Sequence, residues 1–569
     1  MPETAGMRTP RLIAIVLLAL GGSAVSAEAL LVHNARGLTL DERGRVLRFD
    51  AMSVGADGRV QAIGRMAEVA AKAGDARRVD AGGQVLMPGL IDAHGHVLAL
   101  GAARRSLQLR DTADLAAALA AVKAHAAARP DAAWITGGGW NQAAWKLGRF
   151  PTAAELDSAE SARPVWLSRV DGHAGWANSR ALRLAGITRD TPDPGGGRIE
   201  RDAAGEPTGV LVDAAMDLVE RLVPAEDAAE MAANLDTAEA ELLALGLTSV
   251  HDAGISAAAD QLLRRRVAAG QLKIRLYGMA RGSDAAFMAR LRAEGPLKDA
   301  AGPESGHYSL RAVKLFADGA LGSRGAALID PYSDAPATRG LLFHGDTELL
   351  AQMRAAARAG FQVNVHAIGD AANRQVLAGF EALRREMGAR STELRHRIEH
   401  AQVIALADIP RLARDGVIAS VQPTHATSDM NMAEDRVGPQ RIQGAYAWQR
   451  LLRSGARLAC GSDFPVEEPS PWAGLYAAVT REDAEGRPVG GWYRQQALTP
   501  VHALDCFTRG AAYAGHAEQD VGSLTPGHRA DFILVDRDPL TSSPAALLKT
   551  RVLQTWVGGR LVHTRPQEP

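Results

Sequence analysis

Apolar residues fall into two textures along this chain. From Ala29 to about Met87 they come in short alternating runs broken by glycine: Leu30-Leu31-Val32-His33, Val46-Leu47-Arg48-Phe49, Arg59-Val60-Gln61-Ala62-Ile63 and Gln84-Val85-Leu86. Alternation with a period of two predicts half-buried strands of a small antiparallel sheet. The texture returns in Ala530–Val535 and in the pair Leu553–Val557 and Arg560–His563 around Gly558-Gly559, whose two glycines suit a hairpin turn. Neither half-sheet can bury a face alone, so residues 28–87 and 520–569 are expected to form one composite β-sandwich domain.

In the intervening residues 88–519, strand-like runs alternate with helical ones, the signature of a parallel α/β sheet. The strand candidates are the run Leu90–His96, Leu247–His251, Ile274–Tyr277, Ala312–Phe316, Gln362–His366, Arg397–His400, Val417–Val421 and Arg457–Cys460. Their number is that of a (β/α)₈ TIM-type barrel. Between strands, Leu235, Leu242 and Leu245 share a helical face before Gly246, as do Leu115, Leu119 and Val122 before Pro130. The stretch 103–241 is too long for one crossover. It carries strand-like pieces of its own, Trp134-Ile135-Thr136 and Val165-Trp166-Leu167-Ser168, and reads as an insertion after the first strand, placed to cover the catalytic face.

Composition changes this picture little. The chain of 569 residues, 47% apolar and 23% charged, is long enough for one large barrel plus a smaller domain and has no disorder signature. Sixty-four basic against sixty-five acidic residues leave a formal charge of −1, with no basic stripe interleaved with aromatics. Nucleic acid is therefore not expected as a partner. Arg8 and Arg11 precede an apolar run, Leu12–Leu20, followed by Val25-Ser26-Ala27, so residues 1–27 read as a cleavable signal peptide and the mature protein as periplasmic or secreted. The alternative, an uncleaved leader acting as a membrane anchor, suits a run this short and interrupted by Gly21-Gly22 less well. No stable membrane span is expected after processing. Cys460 and Cys506 are the only cysteines; disulfides are expected to carry little of the fold, and Cys460, inside an apolar strand, to be a buried inert thiol.

The chemistry gathers at strand ends. In Pro88-Gly89-Leu90-Ile91-Asp92-Ala93-His94-Gly95-His96 an apolar run ends in His-x-His, and period-two alternation aims both imidazoles to one side. Lys314, His366, His400 and Asp463 each close a later strand-like run, where barrel active sites assemble. Imidazole and carboxylate ligands suit Zn²⁺ or a related divalent metal, one or two ions, with an open position for water. Bound water ionises near neutral pH, and Asp463 is the natural base to take its proton and pass it to a leaving nitrogen. Lys314 beside a dication must shed its proton, and a neutral amine can take up CO₂ as a carbamate that bridges two metals. The alternative, a Lys314 turned to the surface or paired with Asp318, stays open. His173 and Trp140, in the insertion, are candidates for gripping substrate. His173 is as readily a residue that holds the lid, and core packing is the commoner fate of Trp140, Trp145 and Trp176. His251 and Asp252, ending the second strand, are expected to support the ligands from behind.

These motifs, with Asp171-Gly172-His173-Ala174-Gly175-Trp176-Ala177-Asn178-Ser179, Val313-Lys314-Leu315-Phe316-Ala317-Asp318-Gly319, Val365-His366-Ala367-Ile368-Gly369-Asp370, Arg397-Ile398-Glu399-His400-Ala401-Gln402 and Gly461-Ser462-Asp463-Phe464-Pro465-Val466, resemble the amidohydrolase superfamily, in its YtcJ-like branch that includes N-substituted formamide deformylase. The resemblance covers the chain after the leader. It implies a metal-dependent hydrolase acting on an amide-like C–N bond through a distorted (β/α)₈ barrel, with His94, His96, His366, His400 and Asp463 as ligands or catalytic groups and Lys314 at the bridging position. Expected partners are a small-molecule substrate and, left open, a second copy of the chain. The same fold with ester hydrolysis, decarboxylation or isomerisation, or a regulatory protein without turnover, are the alternatives.

Overall fold

A computed structural model describes residues 28–566 apart from 143, 170–173, 195–196, 225, 304 and 323. The leader read over residues 1–27, and His173, lie outside the described residues. No described helix is long and apolar enough to cross a membrane.

Eight strands form the central sheet: β1 (Leu90–Gly95), β2 (Leu247–Ile255), β3 (Arg275–Arg281), β4 (Tyr308–Phe316), β5 (Gln362–Ala367), β6 (Arg397–His400), β7 (Ile418–Val421) and β8 (Leu458–Cys460). They follow one another in chain order and pair in parallel. Each expected run became one of them, with β2 and β4 extending further than their apolar stretches. The helices pack outside. In Asp370–Met387 the buried Ala372, Val376, Phe380 and Leu383 recur once per turn against the sheet, each larger side chain contributing about 1.5–3 kcal/mol by burial, and Gly388 at φ 60° ends the run. In Ala228–Ala244, Leu235 and Leu242 are buried as expected, whereas Leu245 lies past the last turn and is half-buried.

The sheet closes between β1 and the segment after β8 through side-chain and main-chain bonds together. Asp92 in β1 accepts from the backbone N–H of Ser462 and, at 2.7 Å, from its hydroxyl, while the Asp463 N–H donates to the His94 carbonyl at 2.7 Å. At Gly461 a Cβ would sit 2.5 Å from both Asp92 Oδ1 and the His94 nitrogen, so only glycine lets this seam form.

Both chain ends build the composite domain. Its six-stranded sheet runs Arg560–Thr564, Val552–Val557, Phe532–Val535, Val85–Pro88, Arg36–Leu40, Val46–Phe49, and a four-stranded sheet of Val60–Gly64, Ala51–Val54, Leu30–His33 and Arg77–Asp80 covers it around the stacked Phe532 and Trp556 rings. The insertion folds around another six-stranded sheet, from Gly197–Arg201 to Leu107–Gln108, with a core of its own. Two expectations are corrected here. Trp140 is fully buried in the insertion's core, edge-on to Trp176 with centroids 6.1 Å apart, and its Nε1 donates to the Leu167 carbonyl, so it does not line a substrate pocket. Cys460 is not a free thiol: it is bonded to Cys506, with Cα atoms 5.1 Å apart, because β8 packs against the turn Cys506–Gly510, a neighbour 46 residues away that no local pattern reveals.

Candidate active site

The mouth of the barrel opens into a cavity of about 420 Å³ lined by His94, His96, Lys314, His366, His400, His425 and Asp463. All six ligand or catalytic candidates from the strand ends meet there. His94 is fully buried; Glu399 in β6 fixes its Nδ1 at 2.5 Å, which turns Nε2 to the cavity, 3.3 Å from Lys314 Nζ and 3.5 Å from Asp463 Oδ1. His96 Nε2 stands 3.3 Å from the same oxygen. His400 is held by Gln422 Oε1 at 2.8 Å on Nδ1, and its ring lies against those of His366 and His425. The His366 ring donates to the Gly319 carbonyl but leaves Nε2 buried with no hydrogen-bond partner among the described residues, 3.7 Å from Asp318 Oδ1.

Two triples of ligand atoms lie within 4.8 Å of one another: His94, His96 and Asp463, and His400, His425 and Asp463. Asp463 is common to both, with Oδ1 toward the first and Oδ2 3.8 Å from His425 Nε2. His366 lines the wall beside His400 but belongs to neither triple. This donor set fits a divalent metal. His94 and His400 are each anchored through one ring nitrogen and present the other to the cavity, and the Nε2 atoms of His366 and His425 are buried without hydrogen-bond partners among the described residues.

Burial keeps His94, His366 and His400 neutral, as ligation requires. Burial, then the Lys314 charge, lowers His94 to about 4 and His366 to about 3. Burial also lowers Lys314, against the opposing pull of Glu399 and Asp463. Lys314 thus points inward beside His94 and is not a surface residue; Asp318 instead accepts from the N–H groups of Ala327, Ile368 and Gly369, and burial lifts its carboxyl to about 7. Backbone strain gathers here as well, with His400 at φ 73°, Ala401 at φ 44° and Asp463 at φ 62°.

Several working residues escaped the motif reading. His425 comes from the helix Pro423–Asp429 after β7, a strand whose end carries no candidate ligand; its only sequence signal is the Gln-Pro-Thr-His that opens this helix. Arg397 and Glu399 sit two apart in a fully buried strand, a placement tolerable only if paired. Arg397 binds Glu399 at 2.8 Å, the Ala93 carbonyl at 2.8 Å and His251 Nδ1 at 2.9 Å, so a buried chain runs from His251 to His94. His251 supports the site from behind in this way, and Asp252 does so by accepting from the Val97 N–H at the start of the helix after His96.

Comparison with known proteins matches this architecture. The model of the amidohydrolase family spans residues 77–563. The chain is 32% identical to N-substituted formamide deformylase of Arthrobacter pascens over 94% of this chain and 98% of that protein. It is also 32% identical to YtcJ of Bacillus subtilis (strain 168), whose name describes it as an amidohydrolase, over 90% of this chain and 95% of that one. An uncharacterized metal-dependent hydrolase from Pyrococcus horikoshii OT3 superposes with a TM-score of 0.76 at 27% identity, covering 91% of this chain and 99% of that structure. The chain belongs to the amidohydrolase family, as a metal-dependent hydrolase of its YtcJ-like branch.

Proposed function

We propose that this protein hydrolyses an amide-like C–N bond, such as that of an N-substituted formamide, in an oxidising compartment outside the cytoplasm. The observation that carries the reading is the placement of Asp463 between two sets of imidazoles, with Lys314 Nζ 3.3 Å from His94 Nε2. A divalent ion held by His94, His96, His400, His425 and Asp463 would supply acidification of water and polarisation of the substrate carbonyl. The protein's own residues do the remainder. Glu399 and Gln422 hold the imidazole planes of His94 and His400 in position. Asp463 takes a proton at one carboxylate oxygen and returns it to the departing nitrogen, which leaves as a neutral amine. Lys314, desolvated and pushed toward its neutral form, is suited to carbamate formation, in which Nζ adds CO₂ and releases one proton.

The Cys460–Cys506 bond supports export, since cystines persist where thiols are not kept reduced. N-terminal sequencing after expression in a Gram-negative host tests this: the mature chain is expected to begin near Ala27, and an intact leader in the soluble cytosolic fraction would count against export. For the chemistry, metal analysis of the purified protein is joined to a screen of N-substituted formamides, acyl amides, cyclic imides and esters. Turnover of the amides together with bound metal is the expected result; turnover of esters alone would replace the reading. Lys314→Ala should lose activity and part of the bound metal, and a wild-type-like variant would remove Lys314 from the site.

A further inference from the structure

One carboxylate in the catalytic cavity is held in place without a hydrogen bond to any imidazole. Asp429 ends the helix Pro423–Asp429, one turn after His425, and lines the cavity. Two buried donors converge on a single oxygen: the Tyr446 hydroxyl reaches Oδ2 at 2.6 Å and Gln402 Nε2 reaches the same atom at 3.1 Å, while Gln402 also donates to the Tyr446 hydroxyl at 2.8 Å. Tyr446 is itself pinned, with φ at 47° and its N–H donating to the Gln402 carbonyl at 2.7 Å. Oδ1 receives no hydrogen bond from the described residues, and Asp429 makes neither a hydrogen bond nor a close ion pair to His425, on which it acts only through its charge. Donors fixed on one oxygen lock the carboxylate plane and leave the other oxygen for a ligand.

The rest of the cavity says which ligand. Lys314 is its only Lys or Arg among the described lining residues, and it is buried beside His94. An anionic substituent would meet Asp429 and Glu467 with no guanidinium to hold it, while Phe316 and Val466 offer exposed apolar surface on the rim. Resting on the amide-hydrolase reading, the geometry points to Asp429 as a specificity-determining residue whose Oδ1 accepts a hydrogen from a protonated amine on the substrate, away from the scissile bond. The substrate class is then an amide that carries an apolar group and a second, cationic nitrogen.

The test compares the metal-loaded wild type with Asp429→Asn on three N-(4-substituted benzyl) formamides bearing an aminomethyl, a methyl or a carboxylate group. Asparagine keeps an acceptor for Tyr446 and Gln402 but loses the charge. The wild type should favour the aminomethyl over the methyl compound by roughly 10- to 100-fold in kcat/KM, the size of one charged hydrogen bond, with the gain in KM. In Asp429→Asn that ratio should collapse toward one. A wild type that ranks the three equally, or prefers the carboxylate, overturns the proposal, as does a variant that loses all three in proportion, which would mark a structural role. If none of the three turns over, these formamides are not substrates, and Asp429 is still decided by calorimetric titration of wild type and variant with 4-methylbenzylamine and 4-methylbenzoate. Tighter amine binding that vanishes in the variant upholds the role; equal binding overturns it.

Discussion

Arg397–Glu399, under the mouth of the barrel, and Arg275–Asp531, at its base, are the same chemical pair, both nearly sealed from water. They end on different partners. Glu399 spends its second oxygen on the Nδ1 of His94, so that pair terminates on a ligand candidate. Asp531 takes both nitrogens of Arg275 at 2.6 and 2.9 Å and spends what remains on the Gly558 N–H, so that pair ties the first residue of β3 to the composite domain. Taking two charges out of water is costly, and the cost is offset only when every lone pair and proton finds a partner. A buried guanidinium–carboxylate pair thus orients a reactive group in one place and staples two domains in the other; the third partner decides which.

The largest effect expected lies between the pairs, where neither is touched. Asp463→Asn should lower kcat by on the order of 10² to 10⁴ with little change in melting temperature, read by steady-state kinetics and thermal denaturation. A change confined to KM would show that Asp463 only binds substrate. Next, Asp531→Ala takes the carboxylate from the buried Arg275 guanidinium, and should cost about 3–5 kcal/mol of unfolding free energy while metal affinity of the folded protein is kept. Denaturant titration beside metal titration checks both, and weakened metal binding in this variant would erase the contrast between the two ends. Glu399→Gln removes the counter-ion of the buried Arg397 and so costs stability too, but it alone should also lower metal affinity about 10- to 100-fold by releasing the His94 ring. Unchanged affinity would mean that the mouth pair is only structural.

The last effect concerns acid. His396, buried and stacked on Phe380, accepts from the Val363 N–H through Nδ1, and burial, then His516, lowers it to about 3 from an ordinary value near 6.5. The unfolded chain takes up this proton first, so the stabilisation is complete above about pH 6.5 and is lost as pH falls toward about 3. His396→Asn should flatten the decline by up to about 1.4 kcal/mol per pH unit in that window, measured as urea unfolding from about pH 7 to about pH 4. An unchanged slope would place the acid sensitivity elsewhere.

Period-two alternation and strand-end position are local properties, so the chain announces its eight barrel strands, its composite β-domain and the six residues that meet at the mouth. A residue that closes a parallel strand is carried to the catalytic face wherever its strand stands in the barrel. What the tertiary structure alone decided are partnerships between residues far apart in sequence. Glu399 meets His94 across 305 residues, Arg397 meets His251 across 146, and the Asp92 carboxylate closes the barrel on Ser462 across 370. His425 stands after a strand with no ligand at its end, Cys506 reaches Cys460 from a turn, and Trp140 is claimed by the insertion's own core. Periodicity tells which way a side chain points; what stands opposite depends on packing the whole chain into one arrangement, and it is there that a buried charge or an imidazole acquires its role.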